Sequence, residues 1–211
     1  PEKSRTLELS ISHNVTSNFI LSGSTYYTKV NQLITSVFKN EASNAIPGGV
    51  ILAHGRYENV GEATIYGMEV KSDYHTNLGP VRLKLWGNYS WVDGHIEQPD
   101  GSLLQLPLVA NHKVKTGATF SWKNYFVTPK ANWIGEANTA REFGQTTIPS
   151  YALFNLASGI DNIYKNLSLF FNIRNLTDSR YFNASNGGGG QPFPGAPQDP
   201  RQFFGGMTYQ F

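Results

Sequence analysis

Residues 201–211 (RQFFGGMTYQF) constrain the fold more than any other stretch of the chain. As a strand they put Phe203, Gly205, Met207, Tyr209 and Phe211 on one face. Gln202, Phe204, Gly206, Thr208 and Gln210 fall on the other, because successive side chains of a strand alternate. An aromatic strand left with a bare edge is a liability that soluble proteins avoid. In a transmembrane β-barrel the same strand pairs into the wall and its aromatic face meets lipid.

Eight further segments alternate in the same way: residues 6–13, 19 onward, 64–74, 81–91, 113–122, 125–135, 151–161 and 167–175. Val81, Leu83, Leu85, Tyr89 and Trp91 against Arg82, Lys84, Asn88 and Ser90 is the cleanest case, whereas the second segment loses its parity after Tyr27. The connections around Asn14, Asn77, Asn124 and Asn162 are short. Those spanning about 39–61, 94–107, 136–149 and 177–200 are long, and the last is too rich in Gly and Pro to suggest secondary structure. Short and long connections in turn are the layout of an up-and-down outer-membrane barrel, with periplasmic turns and extracellular loops. No run approaches eighteen apolar residues, so a helical membrane span is excluded. A soluble barrel or sandwich remains the alternative, and it would bury the apolar parity in its core.

The expected fold is all-β: a transmembrane antiparallel up-and-down barrel wall of about nine strands. Nine is odd, and two unpaired edges in lipid are not tolerated, so these strands are expected to belong to a larger cylinder. Glu69, Lys71, Arg82, Lys84 and Arg174 share the polar parity and are expected to look into its interior. Trp91, Trp122, Trp133, Tyr209 and Phe211 are expected in the girdles and the closing strand.

Four motifs in order resemble the TonB-dependent outer-membrane receptors: the opening PEKSRTLELS stretch, ENVGEATIYGMEV with Gly67 and Glu69, IRNLTDSRYF over residues 173–182, and PGAP before a terminal aromatic strand. The resemblance covers nearly the whole chain. It implies that residues 1–211 are the C-terminal segment of a 22-stranded, plugged barrel, with the plug and earlier strands elsewhere in the receptor. It further implies uptake of a scarce nutrient such as an iron-siderophore complex across the bacterial outer membrane, energised through TonB by way of the plug. The implied partners are the rest of the receptor, the TonB system and outer-membrane lipid. The chain begins at Pro1 without an export signal, which suggests a fragment or processed piece.

Candidate ligand-binding residues are His54, Arg56, Tyr57, His95, Arg141, Arg180 and Arg201, all in long connections where cationic and aromatic side chains suit anionic chelates. Solvated loop residues are the simpler alternative. His13, His75 and His112 lack metal-ligand spacing, and Asp93 with His95 lacks the third group a hydrolytic site needs, so neither a metal, a cofactor nor an enzyme activity is expected. Gly187 to Gly190 lacks the Lys-Ser/Thr of a phosphate loop. Asp178 and Tyr181 are expected to be structural. A net charge of +2 with scattered Lys and Arg argues against nucleic acid. A passive porin-type channel, or a structural barrel in a membrane complex, shares the architecture and stays open.

Overall fold

A computed structural model describes residues 1–39, 54–97, 101–139, 147–185 and 195–210, with no side-chain description for 35–39, 54–58 and 60. Among these residues there is no helix, and fourteen strands follow one another. They are β1 (Lys3–Thr16), β2 (Phe19–Lys39), β3 (His54–Leu78), β4 (Val81–Glu97), β5 (Leu103–Gln105), β6 (His112–Trp122) and β7 (Tyr125–Ile134). The remainder are β8 (Ala137–Asn138), β9 (Thr147–Ile148), β10 (Tyr151–Tyr164), β11 (Leu167–Arg174), β12 (Phe182–Ala184), β13 (Gly195–Pro197) and β14 (Gln202–Tyr209). The main sheet runs β1-β2-β3-β4-β6-β7-β10-β11-β14, nine strands in chain order, with β5 paired to β4. This is the antiparallel up-and-down wall that the alternation predicts.

The four short connections are two-residue hairpin loops, at 17–18, 79–80, 123–124 and 165–166. Tight loops of this kind need positive φ to match the twist of their strands. Gly79 (59°), Lys123 (52°), Lys165 (41°) and Asn166 (65°) supply it in three of the four, and the 17–18 loop turns without it.

Several strands run beyond the segments read from the sequence. β3 starts at His54 and β4 reaches Glu97 to pair with β5, whereas β2 ends at Lys39, where the long connection was expected to begin. The 177–200 connection is not wholly irregular either, because β12 and β13 pair within it. Gly and Pro density hid these pieces, since their partners lie far along the chain. The blurred parity of β2 also has a cause. Gln32 takes φ 58° inside the strand, and exposure alternates on odd residues through Lys29 but on even ones at Gln32 and Ile34.

Chain contacts divide into two units, residues 1–7, 26–66 and 93–106, and residues 8–25, 67–92 and 107–211. In the first, Lys29 and Glu62 form an ion pair at 2.8 Å and the Thr6 and Thr28 hydroxyls meet at 2.9 Å. The second holds most of the wall. Its register places Leu83, Leu85, Tyr89 and Trp91 directly across from Phe120, Ala118, Val114 and His112, so all eight share one face. Trp133, Ala131, Pro129, Val127 and Tyr125 continue that face on β7, facing Ala152, Phe154, Leu156, Ser158 and Ile160 of β10.

What these strands lack is a conventional core. Among the described residues the buried apolar side chains are Ala63, Ala110, Ala137 and Ile148, whereas Leu9 is 72% and Met207 74% exposed. The apolar parity lies open along the strands instead.

Candidate functional site

The face opposite the apolar one gathers the polar side chains. Lys84 lies across from Thr119 and reaches Asp73 at 3.5 Å, while Lys71 and Glu69 approach at 3.6 Å along β3. Arg82 stands opposite Ser121, exposed. Arg174 pairs with Gln202 and sets its guanidinium over the Phe204 ring at 4.8 Å. Five residues chosen from parity alone are thus on one side of the wall.

Beside Arg174 the wall forms a recess of about 690 Å³ over β7, β10, β11 and β14. Lys130, Asn132, Asn155, Asn172, Arg174 and Gln202 supply its polar lining. The ladder explains the grouping, because Lys130 sits across from Asn155, Ala157 from Asn172, and Arg174 from Gln202. With Asn175, the lining holds two cations and five neutral amides against one carboxylate, Asp199, a surface able to donate hydrogen bonds to an anionic, oxygen-rich partner. Sequence reasoning missed Lys130 and the three asparagines. Their signal was the even parity of β7 and β11 and the odd parity of β10, which becomes informative only once the cross-strand partners are known.

A second set lies lower on the same face, where aromatic rings cover glycines of the next strand. Trp86 lies over Gly117, Phe126 over Gly159 and Phe170 over Gly206. Gly159 has Phe126 opposite it on one side and Phe170 on the other.

The turn after β11 closes the upper edge of the recess. Asn175, 3% exposed, donates its amide to the Ser179 carbonyl at 2.9 Å and accepts from the Ser179 N–H at 2.9 Å. Its own N–H donates to Asn155 Oδ1 at 3.0 Å. Asp178, at φ 54°, accepts the Arg201 N–H at 2.8 Å, and the Tyr181 ring packs against Tyr151 at a tilt of 41°, with ring centroids 4.8 Å apart. These contacts give Asp178 and Tyr181 an architectural role.

The loop candidates fall in several different elements. His95 is not in a loop: it belongs to β4 and lies across from Gln105. The Arg201 guanidinium bonds the Leu176 carbonyl at 3.4 Å and rests over Phe203 at 5.7 Å. Arg180 is exposed between Asp178 and Tyr181. His54, Arg56 and Tyr57 are likewise not in a loop, since they belong to β3, and their side chains lie outside the described residues, as do Arg141 and Phe211. Of the girdle candidates, Trp91 is opposite His112, Trp133 opposite Val114 and Ala152, and Tyr209 opposite Leu167, while Trp122 stacks on Tyr125 at 6.1 Å. All four are on the apolar face.

A family model described as TonB dependent receptor-like, beta-barrel, matches residues 1–176. No curated protein matches the sequence. Among solved structures, the ferric-catecholate import receptor Fiu of E. coli K12 is 19% identical, with a TM-score of 0.67 over 98% of this chain and 27% of that one. The copper transporter OprC is 18% identical, with a TM-score of 0.76 over 100% and 31%. The FrpB iron transporter of Neisseria meningitidis is 14% identical, with a TM-score of 0.70 over 100% and 31%. The chain spans about three-tenths of the length of these structures.

Proposed function

Because the chain belongs to the TonB-dependent receptor β-barrel family, a family of bacterial outer-membrane receptors and not of enzymes, we propose that it forms wall and external loops of a nutrient importer. Residues 1–211 are the C-terminal part of the barrel, and a plug carried elsewhere in the protein contacts TonB. The cargo is a scarce, anionic nutrient such as an iron-siderophore complex.

The observation that carries this reading is the division of the wall into two chemistries. On the apolar face of β7, Tyr125 and Trp133 are eight residues apart. That is about 27 Å along a strand, or about 20 Å along the membrane normal at a tilt near 40°. An aromatic-bounded stretch of that height accounts for most of the apolar band, about 25 Å tall, that an outer-membrane barrel presents to lipid. Behind it lie the Lys130 and Arg174 recess and the ion pairs of β3 and β4, a hydrated lining for a plug and a passing solute. Glu69, Lys71, Arg82 and Lys84 hold the plug side; Arg180 and Arg201 stand at the loop end with Arg174 beneath them. Trp91, Trp122, Trp133 and Tyr209 anchor the two interfaces.

Uptake of labelled ferric chelates by cells expressing the full-length receptor tests the proposal. Saturable uptake that disappears in a TonB-deficient strain supports it. Non-saturable, TonB-independent entry would favour the passive channel instead.

A further inference from the structure

We propose that the apolar face of β7, β10 and β11 carries a site for one anionic phospholipid, its phosphate between Lys123 and Lys165 and an acyl chain in the groove above Ser158. This rests on the reading of the apolar face as lipid-facing.

The groove has a volume of about 510 Å³ and is bordered by Tyr125, Val127, Ser158, Ile160, Leu169 and Phe171. The register places these six in two rows of the apolar face, Tyr125–Ile160–Leu169 and Val127–Ser158–Phe171. Ser158 creates the depression: it is the small member of its row and turns its hydroxyl back to the Phe171 carbonyl at 3.4 Å. With that hydroxyl satisfied, the floor presents little polarity to a hydrocarbon chain.

One end of the groove reaches the two hairpins that carry the lysines. Lys123 Nζ sits 4.8 Å from the Trp122 ring centroid, and Lys165 Nζ 5.3 Å from that of Tyr164. Each ammonium is therefore held over a ring at the end of its strand, aliphatic stem along apolar surface and charge at headgroup level. Hydrogen bonds fix the first hairpin to the end of β10, just before the second. The Asp161 N–H donates to the Asn124 carbonyl at 2.8 Å, and the Asn124 amide donates to the Asn162 carbonyl at 3.3 Å. Asp161, the carboxylate of this region, follows Ile160 where the β10–β11 register shifts. Two cations at one end and an uncharged trough behind them complement a phosphate joined to an acyl chain. A zwitterionic headgroup adds an ammonium of its own, which the lysines repel.

The test uses the full-length receptor in phosphatidylcholine nanodiscs doped with brominated phosphatidylglycerol or brominated phosphatidylcholine. Quenching of Trp122 is read as the difference from Trp122→Phe. Each lysine near a membrane surface favours an anionic lipid on the order of fivefold. Brominated phosphatidylglycerol should therefore quench at a more than tenfold lower mole fraction, and Lys123→Gln with Lys165→Gln should abolish the difference. Ser158→Phe, which fills the groove with the lysines intact, should also weaken the preference. Equal quenching by both lipids in the unmodified receptor, or a preference that survives loss of both lysines, overturns the site while leaving the lipid-facing reading in place. Quenching by neither lipid overturns that reading itself.

Discussion

The Phe126 ring covers Gly159 so closely that a Cβ at position 159 would come within 2.6 Å of Phe126 Cε1, and within 2.7 Å of the Leu169 carbonyl oxygen. One of those neighbours can turn aside and the other is ladder backbone. Gly159→Ala should therefore cost about 1–3 kcal/mol, the usual range for forced overpacking. Phe126→Ala should not fully rescue it, because the Leu169 carbonyl remains. Gly206→Ala meets only the Phe170 ring, at 2.4 Å, and should cost less. Denaturant unfolding of the full-length receptor in detergent gives the order; equal losses at 159 and 206 would contradict it.

A second prediction concerns the two faces of β4. Leu83→Arg, or Leu169→Arg on β11, should cost about 2–4 kcal/mol where the strand crosses mid-membrane, and Lys84→Leu far less. Folding yield into bilayers of each variant measures this. Equal tolerance at both parities would contradict the assignment.

The recess gives a third. Charge-assisted hydrogen bonds are worth about 1.5–3 kcal/mol each. Lys130→Gln or Arg174→Gln should then lower affinity for an anionic chelate on the order of tenfold and leave a neutral solute unaffected. Calorimetric titration of the full-length receptor checks it; unchanged affinity would remove the recess from the solute path.

At the turn after β11, Asn175→Ala strands the Ser179 N–H and carbonyl in a buried setting, a loss of about 1–3 kcal/mol. Asp178→Ala removes one acceptor at an exposed position and should free the Arg201 amide to exchange with solvent while β11 stays protected. Hydrogen exchange resolved at Arg201 separates the two.

The wall was legible in the sequence because its signal is local. Leu83, Leu85 and Trp91 declare their face within a single strand, and the two-residue hairpins declare the layout. What needs a partner strand was not legible. Lys130 and Asn155 form a recess only when β7 and β10 are in register, and Phe126 explains Gly159 only across the same pair. His95 was misread as a loop residue because three residues, Leu103–Gln105, suffice to extend the ladder on β4. The NLTD motif at 175–178 stood out by resemblance, while the part of Asn175 in tying the turn together shows only in its contacts with Ser179 and Asn155.

The chain contains no cysteine, so a nitroxide can be attached singly along β11 in a cysteine-free full-length receptor. In bilayers, labels at 167, 169, 171 and 173 should be accessible to dissolved oxygen and shielded from a water-soluble nickel relaxant, and labels at 168, 170, 172 and 174 should not follow that pattern. The same accessibility at successive positions, or the opposite phase, would contradict a wall whose oily side chains face lipid.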